Sequence, residues 1–113
     1  MRNGDFARAI AKEAYLVCNA AFPKPIQQAY LYGSYARGDY HAESDIDILL
    51  TVDEEGSLSE YRRAAAKICS ELSLKYDVMV SVTVKSDAQF RKYGDVLPFY
   101  RNVREEGISC AAG

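Results

Sequence analysis

The stretch GSYARGDYHAESDIDILL, residues 33–50, decides the fold expected for this chain. An apolar run, Ala29–Tyr32, precedes it, and the apolar character continues through Val52 after it. Short apolar runs bounded by glycine and polar residues are typical of β-strands. The pattern therefore predicts two short strands that flank a glycine-bearing turn, the second strand carrying Asp45 and Asp47 at its start.

The turn that begins at Gly33 has a composition suited to phosphate binding. Gly33 ends an apolar strand at a point where the backbone must turn sharply and approach a ligand closely, which a residue without Cβ does at little cost. Ser34 offers a hydroxyl and a main-chain N–H to a phosphate oxygen. A short helix starting at Tyr35 would direct its positive end toward the same anion.

Asp45 and Asp47 are one residue apart in the second strand, so their side chains leave the same face. Ile46, Ile48 and Leu50 then point the other way, into a core. Two neighbouring carboxylates repel each other unless a cation lies between them, and Mg²⁺ takes oxygen ligands from one or two carboxylates plus substrate phosphates. The pair is therefore predicted to hold a metal ion and a triphosphate together.

Each of these features alone has an ordinary explanation, because glycine–serine turns and solvated Asp-x-Asp strand ends are common. Their joint occurrence favours the nucleotide site. Gly33-Ser34 is followed by Arg37-Gly38 and then by Ser44-Asp45-Ile46-Asp47. The first two segments lie in the predicted turn and the third at the start of the predicted strand, where phosphate and metal binding require them.

These residues resemble the Gly-Ser, Ala-Arg-Gly and Ser-Asp-x-Asp signature of the DNA polymerase β-like nucleotidyltransferase superfamily, and the small size resembles its minimal nucleotidyltransferase (MNT) branch. The specific motif covers residues 30–52. The resemblance implies an α/β fold with a small mixed sheet and flanking helices, as in the polymerase β palm. It also implies that the chain binds ATP with two Mg²⁺ ions, Gly33 and Ser34 holding the β and γ phosphates and Asp45 and Asp47 binding both metals.

A further acid is expected to bind the first metal and accept the proton of the attacking hydroxyl. In the resembled superfamily it lies on the strand after the crossover helix. The candidate is Asp77, predicted to stand at the start of the strand Val78–Val84 with the parity of its open face. If Asp77 lies outside the site, Ser81 or Met79 takes that place.

Three further residues near the motif have two interpretations each. Arg37 is expected to contact the triphosphate or, preferably, to form an ion pair with Asp45 or Asp47 that fixes the turn. Ser44 is expected to hydrogen-bond backbone where the strand begins, with nucleotide contact as the alternative. His41, the only histidine, is expected to be a surface residue rather than a base or ligand.

Periodicity and capping residues predict the remaining elements. Before the motif they are a helix from Asp5 to about Phe22, capped by Asn3 or Asp5, and a strand Gln28–Tyr32. After it come a helix from Leu58 to about Lys75 with a Ser57/Glu60 capping box and a strand Val78–Val84. The chain then forms a short helix capped by Ser86 and ending at Phe90, a helix Val96–Glu106, and a frayed tail from Ser109. A strand, a long helix and a strand in succession predict a right-handed crossover that sets the third strand beside the Asp-x-Asp strand.

The 113 residues are expected to form one nucleotidyltransferase domain, 1–113, with 49% hydrophobic and 27% charged residues. A net charge of −2 argues against nucleic acid as a partner. The absence of a membrane-spanning run or signal segment predicts a cytoplasmic protein. Of the three cysteines, Cys18 and Cys69 are expected in the core and Cys110 in an exposed tail, in a reducing compartment.

The resemblance implies an enzyme that moves AMP from ATP to a hydroxyl acceptor. MNT proteins often act beside an all-helical HEPN toxin as antitoxins that adenylylate one of its tyrosines, so a HEPN-type partner is expected. Two alternatives remain open. One is a catalytically weakened module that binds nucleotide or neutralises a toxin by contact, and the other is a small-molecule (antibiotic) nucleotidyltransferase, for which a homo-oligomer would have to complete the site.

Overall fold

A computed structural model describes residues 3–110 of the chain. Except for the last strand, its helices and strands follow the order expected from the sequence, with a mixed sheet and helices on both faces. They are α1 Gly4–Ala21, β1 Ile26–Tyr32, α2 Ser34–Arg37, β2 Ile46–Val52, α3 Ser59–Tyr76, β3 Val80–Ser86, α4 Asp87–Tyr93, α5 Pro98–Glu106 and β4 Ile108–Ser109. No helix in this part of the chain is long and apolar enough to cross a membrane.

The strands lie in the order β3-β2-β1-β4. β1 pairs antiparallel with β2, which places Tyr32 opposite Asp47 across the turn that starts at Gly33. β2 pairs parallel with β3, and Asp47 lies opposite Ser81 in that register. The connection of these parallel strands through α3 confirms that the third strand lies beside the Asp-x-Asp strand, as predicted from the strand–helix–strand order.

Both faces of the sheet are covered, and the two strand parities face different cores. Ile46, Ile48 and Leu50 are fully buried against α1 and α3, as predicted. Leu49 has the opposite parity and is also fully buried, in a smaller cluster with Phe90 of α4 and the α5 residues Tyr100 and Val103. Asp47 has the parity of Leu49, so its side chain points toward the side of the sheet that α5 covers.

Several boundaries differ from the sequence-based expectation. α1 is capped by Asn3, whose side-chain oxygen accepts from Phe6 N at 3.0 Å, one of the two caps expected. The prediction of a Ser57/Glu60 capping box before α3 is wrong. The N-cap is Leu58, which makes no side-chain cap, and Ser57 Oγ accepts from Ser59 N instead. β3 starts at Val80 rather than Val78.

The tail expected to fray is partly ordered. Ile108 and Ser109 form β4 against β1, and Cys110 N donates to Ala29 O at 2.9 Å. Cys110 is therefore partly buried rather than exposed, like Cys69, while Cys18 is buried as predicted. The remainder of the expected tail, 111–113, lies outside the described residues.

Candidate active site

Gly33 adopts a conformation that other residues rarely reach, with φ 78° and ψ −157°. Its carbonyl accepts from Ala36 N and Arg37 N at 3.1 Å, so the chain turns directly from β1 into α2. A Cβ built on Gly33 would lie 2.5 Å from Oδ2 of Asp47. Gly33 is therefore needed both for the turn and for the close approach of the Asp47 carboxylate to the backbone.

Asp45 and Asp47 lie together at the start of β2. Asp47 is the second residue of the strand and half-buried, whereas Asp45 lies one residue before the strand and is exposed. Burial raises the pKa of Asp47, the negative charge of Asp45 raises it further, and the positive charge of Arg37 opposes both. The two carboxylates thus interact electrostatically, as predicted from their spacing.

A cavity of about 700 Å³ opens at this end of the sheet. That volume is within the range of roughly 300–1,000 Å³ typical of small-molecule sites. Its lining includes the residues predicted from the motif, namely Gly33, Ser34, Arg37, Ser44, Asp45 and Asp47, together with Tyr32, Asp39, His41, Glu43, Phe99, Asn102, Val103 and Glu106. The structure therefore brings the turn and the carboxylate pair into one cavity.

Ser44 fixes the loop that leads into β2. Its Oγ accepts from His41 N at 2.9 Å, its own N–H donates to His41 O at 3.1 Å, and the residue is buried. These are the backbone hydrogen bonds expected at the start of the strand. His41 is exposed, as predicted, and its Nδ1 accepts from Glu43 N at 3.2 Å.

Arg37 forms different ion pairs from those expected. Its Nε lies 3.2 Å from Asp39 Oδ2, and a terminal guanidinium nitrogen lies 3.8 Å from Glu106 Oε2 of α5. Within the described residues, Arg37 forms no ion pair with Asp45 or Asp47. Arg37 nonetheless acts on Asp47 through its charge, and it links α2 to α5 across the cavity.

Asp77 lies apart from the larger cavity. It is the C-cap of α3 in the left-handed conformation, φ 53° and ψ 48°, and is not part of β3. Its side chain lines a shallower groove of about 470 Å³ that it shares with Asp45 and with exposed Leu74 and Met79. The structure thus places Asp77 and Asp45 in one groove, and it places Ser81 beside Asp47.

The α5 residues that line the cavity were not among the site residues predicted from the sequence. Phe99, Asn102, Val103 and Glu106 all line the cavity, and their spacing of three, four and seven residues marks one face of a helix. That spacing is visible in the sequence. The sequence does not show that α5 packs beside the Asp-x-Asp strand, because this contact joins segments about fifty residues apart.

The donor set of the cavity fits Mg²⁺ bound jointly with a triphosphate. Within residues 3–110, no group of three or more His, Cys, Asp or Glu side chains is arranged to hold a metal ion. The protein instead presents two interacting carboxylates, and Mg²⁺ commonly takes its remaining ligands from water and phosphate. The close approach of Asp47 to Gly33 also brings one carboxylate beside the turn expected to hold the phosphates.

Sequence comparisons agree with this site. Residues 16–110 match the nucleotidyltransferase domain family. The chain is 44% identical over 82 residues to a Methanocaldococcus jannaschii protein named "Putative protein adenylyltransferase", the match covering 73% of this chain and 75% of that protein.

Solved structures share the fold. A chain in the crystal structure of a toxin–antitoxin with AMP-PNP superposes with a TM-score of 0.62 at 21% identity, over 90% of this chain and 73% of that one. A chain in the complex of tri-AMPylated Shewanella oneidensis HEPN toxin with its MNT antitoxin gives 0.55 at 18% identity, over 94% and 73%. The mixed sheet with flanking helices expected from the motif is thereby confirmed.

Proposed function

Because the chain belongs to the nucleotidyltransferase domain family, we propose that it transfers AMP from Mg²⁺·ATP to a hydroxyl of a partner protein. The observation that carries the proposal is the approach of Asp47 to Gly33, in a cavity that the Gly33-Ser34 turn lines together with Asp45 and Asp47. The name of the M. jannaschii relative, a protein adenylyltransferase, supports both the adenylyl group and a protein acceptor.

In this proposal each residue of the motif has one task. Asp45 and Asp47 would hold the Mg²⁺ ions, which would supply positive charge to the triphosphate during transfer. Ser34 donates from its hydroxyl and N–H to phosphate oxygens, and Gly33 leaves room for them. Asp39, Glu43 and Glu106 add further negative charge around the cavity, so the affinity for ATP depends on bound cations.

The transfer itself is an in-line displacement at the α-phosphorus. The acceptor oxygen forms a bond to that phosphorus, the bond to the bridging α–β oxygen breaks, and pyrophosphate leaves. The proton of the acceptor hydroxyl passes to a carboxylate. We assign it to Asp77, because Asp77 and Asp45 line the same groove, which gives an acceptor access to both carboxylates.

The acceptor proposed is a tyrosine of a HEPN-type toxin, which makes the chain an antitoxin. The support is the shared fold with the MNT antitoxin whose complex contains an AMPylated HEPN toxin. Exposed Leu74 and Met79 at the rim of the Asp77 groove would give an aromatic acceptor side chain apolar contacts.

Isotope transfer tests the proposal directly. The chain is incubated with Mg²⁺ and ATP labelled at the α- or the γ-phosphate, together with a HEPN-type protein of the source organism. We expect the α label alone to appear on that protein, and a tyrosine-to-phenylalanine change in the acceptor to remove it. Transfer of the γ label would contradict adenylylation, and α labelling that survives removal of every acceptor tyrosine would contradict the assigned target.

A second candidate function is supported by the position of Asp77. Ser81, not a carboxylate, lies beside Asp47 on β3, and Asp77 is outside the larger cavity. A chain without an effective base would bind nucleotide, or neutralise a toxin by contact, with slow transfer, since loss of a general base typically costs roughly 10²- to 10⁴-fold in rate.

The variant Asp77→Asn discriminates these two functions. A rate loss of that size at unchanged ATP affinity supports the enzyme with Asp77 as base, and an unchanged rate removes Asp77 from the mechanism.

A further inference from the structure

We propose that the exposed face of α5 is the nucleobase subsite, in which adenine stacks on the ring of Phe99 and its edge is read by the amide of Asn102. The inference rests on the proposed function, since it names the part of the same cavity that takes the base. It adds a specificity element outside the motif, because the motif supplies only phosphate and metal contacts.

The position of α5 supports this assignment. The carboxylate pair and the Gly33 turn form the sheet side of the cavity, and α5 forms another wall of the same cavity. A nucleotide held by its phosphates at Ser34 must place its base elsewhere in the cavity. Three residues with aromatic rings line it, Tyr32, His41 and Phe99, and Phe99 is the one that α5 contributes.

Phe99 is both accessible and held in place. Its side chain is 41% exposed, although it is a large apolar residue. The ring lies edge-to-face with that of Tyr32, with centroids 5.5 Å apart and planes at 84°, and 5.8 Å from the ring of Tyr100. Tyr32 is itself fixed by contact of its hydroxyl with Thr83 Oγ1 at 3.4 Å. A fixed, exposed ring loses little conformational freedom when a base stacks on it.

Asn102 supplies the hydrogen bonds that stacking lacks. It lies one helical turn after Phe99, and in the described part of the chain its side-chain amide has no hydrogen-bond partner. An asparagine amide has an oxygen that accepts from the N6 amino group of adenine and an NH2 group that donates to a ring nitrogen. Guanine presents a carbonyl instead of that amino group, so the same amide orientation would not fit it.

The charge around this wall is also compatible with a neutral base. Glu106, the last cavity-lining residue of α5, faces Arg37 at 3.8 Å. The charge of Glu106 is therefore partly compensated at this wall, while Asp45 and Asp47 lie where cations and phosphates are expected.

The test compares ATP with a probe that lacks a base. Binding of ATP and of inorganic tripolyphosphate is measured by calorimetry in Mg²⁺ for the wild type and for Phe99→Leu, which keeps apolar bulk and removes the ring. We expect the ATP affinity to fall about fivefold or more, the lower limit for stacking of one base on an aromatic ring, while tripolyphosphate affinity stays unchanged. Phe99→Tyr should restore ATP affinity.

A matched control separates this subsite from an apolar docking surface. Leu97 is 44% exposed, close to Phe99 in sequence, and outside the cavity lining, so Leu97→Ala should leave both affinities unchanged. An ATP affinity that Phe99→Leu does not alter overturns the inference alone, provided the wild type binds both ligands. A wild type that binds neither ligand overturns the proposed function.

The role of Asn102 is tested separately, by measuring the preference of the protein for ATP over GTP. We expect Asn102→Ala to lower ATP affinity and bring the ATP/GTP affinity ratio close to one, with tripolyphosphate affinity unchanged. An unaltered ratio would overturn the role of Asn102 as the reader of the base edge.

Discussion

Gly33 and Asp47 show which features of single residues can be predicted from this sequence. The strand period predicts that Asp45 and Asp47 share a face, and the turn composition predicts that Gly33 ends β1. The 2.5 Å approach of a Gly33 Cβ to Asp47 is a tertiary contact, set by the β1–β2 register. The ion pair of Arg37 with Glu106 could not be predicted for the same reason, because Glu106 lies on α5 and not in the motif.

Replacing Gly33 by alanine should abolish Mg²⁺-dependent ATP binding. The added Cβ would collide with the Asp47 carboxylate, and the backbone conformation is one that costs a non-glycine residue about 1–3 kcal/mol. Gly38→Ala is the matched control, because Gly38 also has a positive φ of 89° but a Cβ there has open space. We expect calorimetry to show ATP binding in the Gly38 variant alone, and binding in both would refute the role of Gly33.

The raised pKa of Asp47 predicts a pH-dependent stability. A carboxyl whose folded pKa lies above its ordinary value of 3.8 stabilises the fold below that value, and this contribution is lost as pH rises through the folded pKa. Asp47→Asn should therefore raise the free energy of unfolding at pH 7 without Mg²⁺, with an advantage that shrinks toward pH 3.8. Urea unfolding at several pH values measures this, with exposed Asp53→Asn as the charge control. An advantage independent of pH would contradict the explanation.

At the scale of elements, long periodic segments were predictable, as were the short helices α2 and α4, which a glycine turn and a serine cap mark, whereas the two-residue strand β4 was not. The apolar stripes of α1 and α3 and the alternation in β3 carry their own signals. β4 is formed by Ile108 and Ser109, and a two-residue strand has no periodicity, so only its pairing with β1 defines it. The capping box failed for a local reason instead, since Ser57 bonds to Ser59 two residues on.

Asp87 shows how α4 is attached to the sheet. Its carboxylate accepts from Gln28 Nε2 at 2.8 Å and from Thr51 Oγ1 at 2.7 Å, and it pairs with Arg91 Nε at 2.7 Å. Burial alone would raise the pKa of Asp87, but the hydrogen bonds from Gln28 and Thr51 and the charge of Arg91 outweigh it and lower the pKa. One buried side chain thus joins β1, β2 and α4.

Asp87→Ala should lower the free energy of unfolding by about 1–3 kcal/mol at pH 7, the usual cost of leaving a buried polar partner unsatisfied. Because the pKa of Asp87 is lowered, the part of this loss that depends on the ionised carboxylate should persist down to its ordinary value of 3.8 and be lost as pH falls through the folded pKa. Denaturant titration measures both. Asp95→Ala, whose side chain is 94% exposed, should change little, and an equal loss in the two variants would contradict the buried network.

At the scale of the whole molecule, the site is the place where the sheet end and α5 meet. Periodicity predicted which strand carries the carboxylates and which face of each helix is apolar. It could not predict that α4 and α5 cover the Asp47 face, because that follows from how the second core of Leu49, Phe90, Tyr100 and Val103 assembles. The phosphate and metal side of the cavity was therefore predictable, and the α5 wall was not.

The most direct test of the nucleotide site is calorimetric titration of ATP into the wild type and the Asp45→Asn/Asp47→Asn double variant, each with and without Mg²⁺. Because the two carboxylates hold the cations that ATP requires, we expect binding by the wild type in Mg²⁺ only, and none by the double variant under either condition. Circular dichroism should show that the double variant is folded. Equal Mg²⁺-dependent affinity in the two proteins would contradict the assignment of Asp45 and Asp47 as the metal-binding pair.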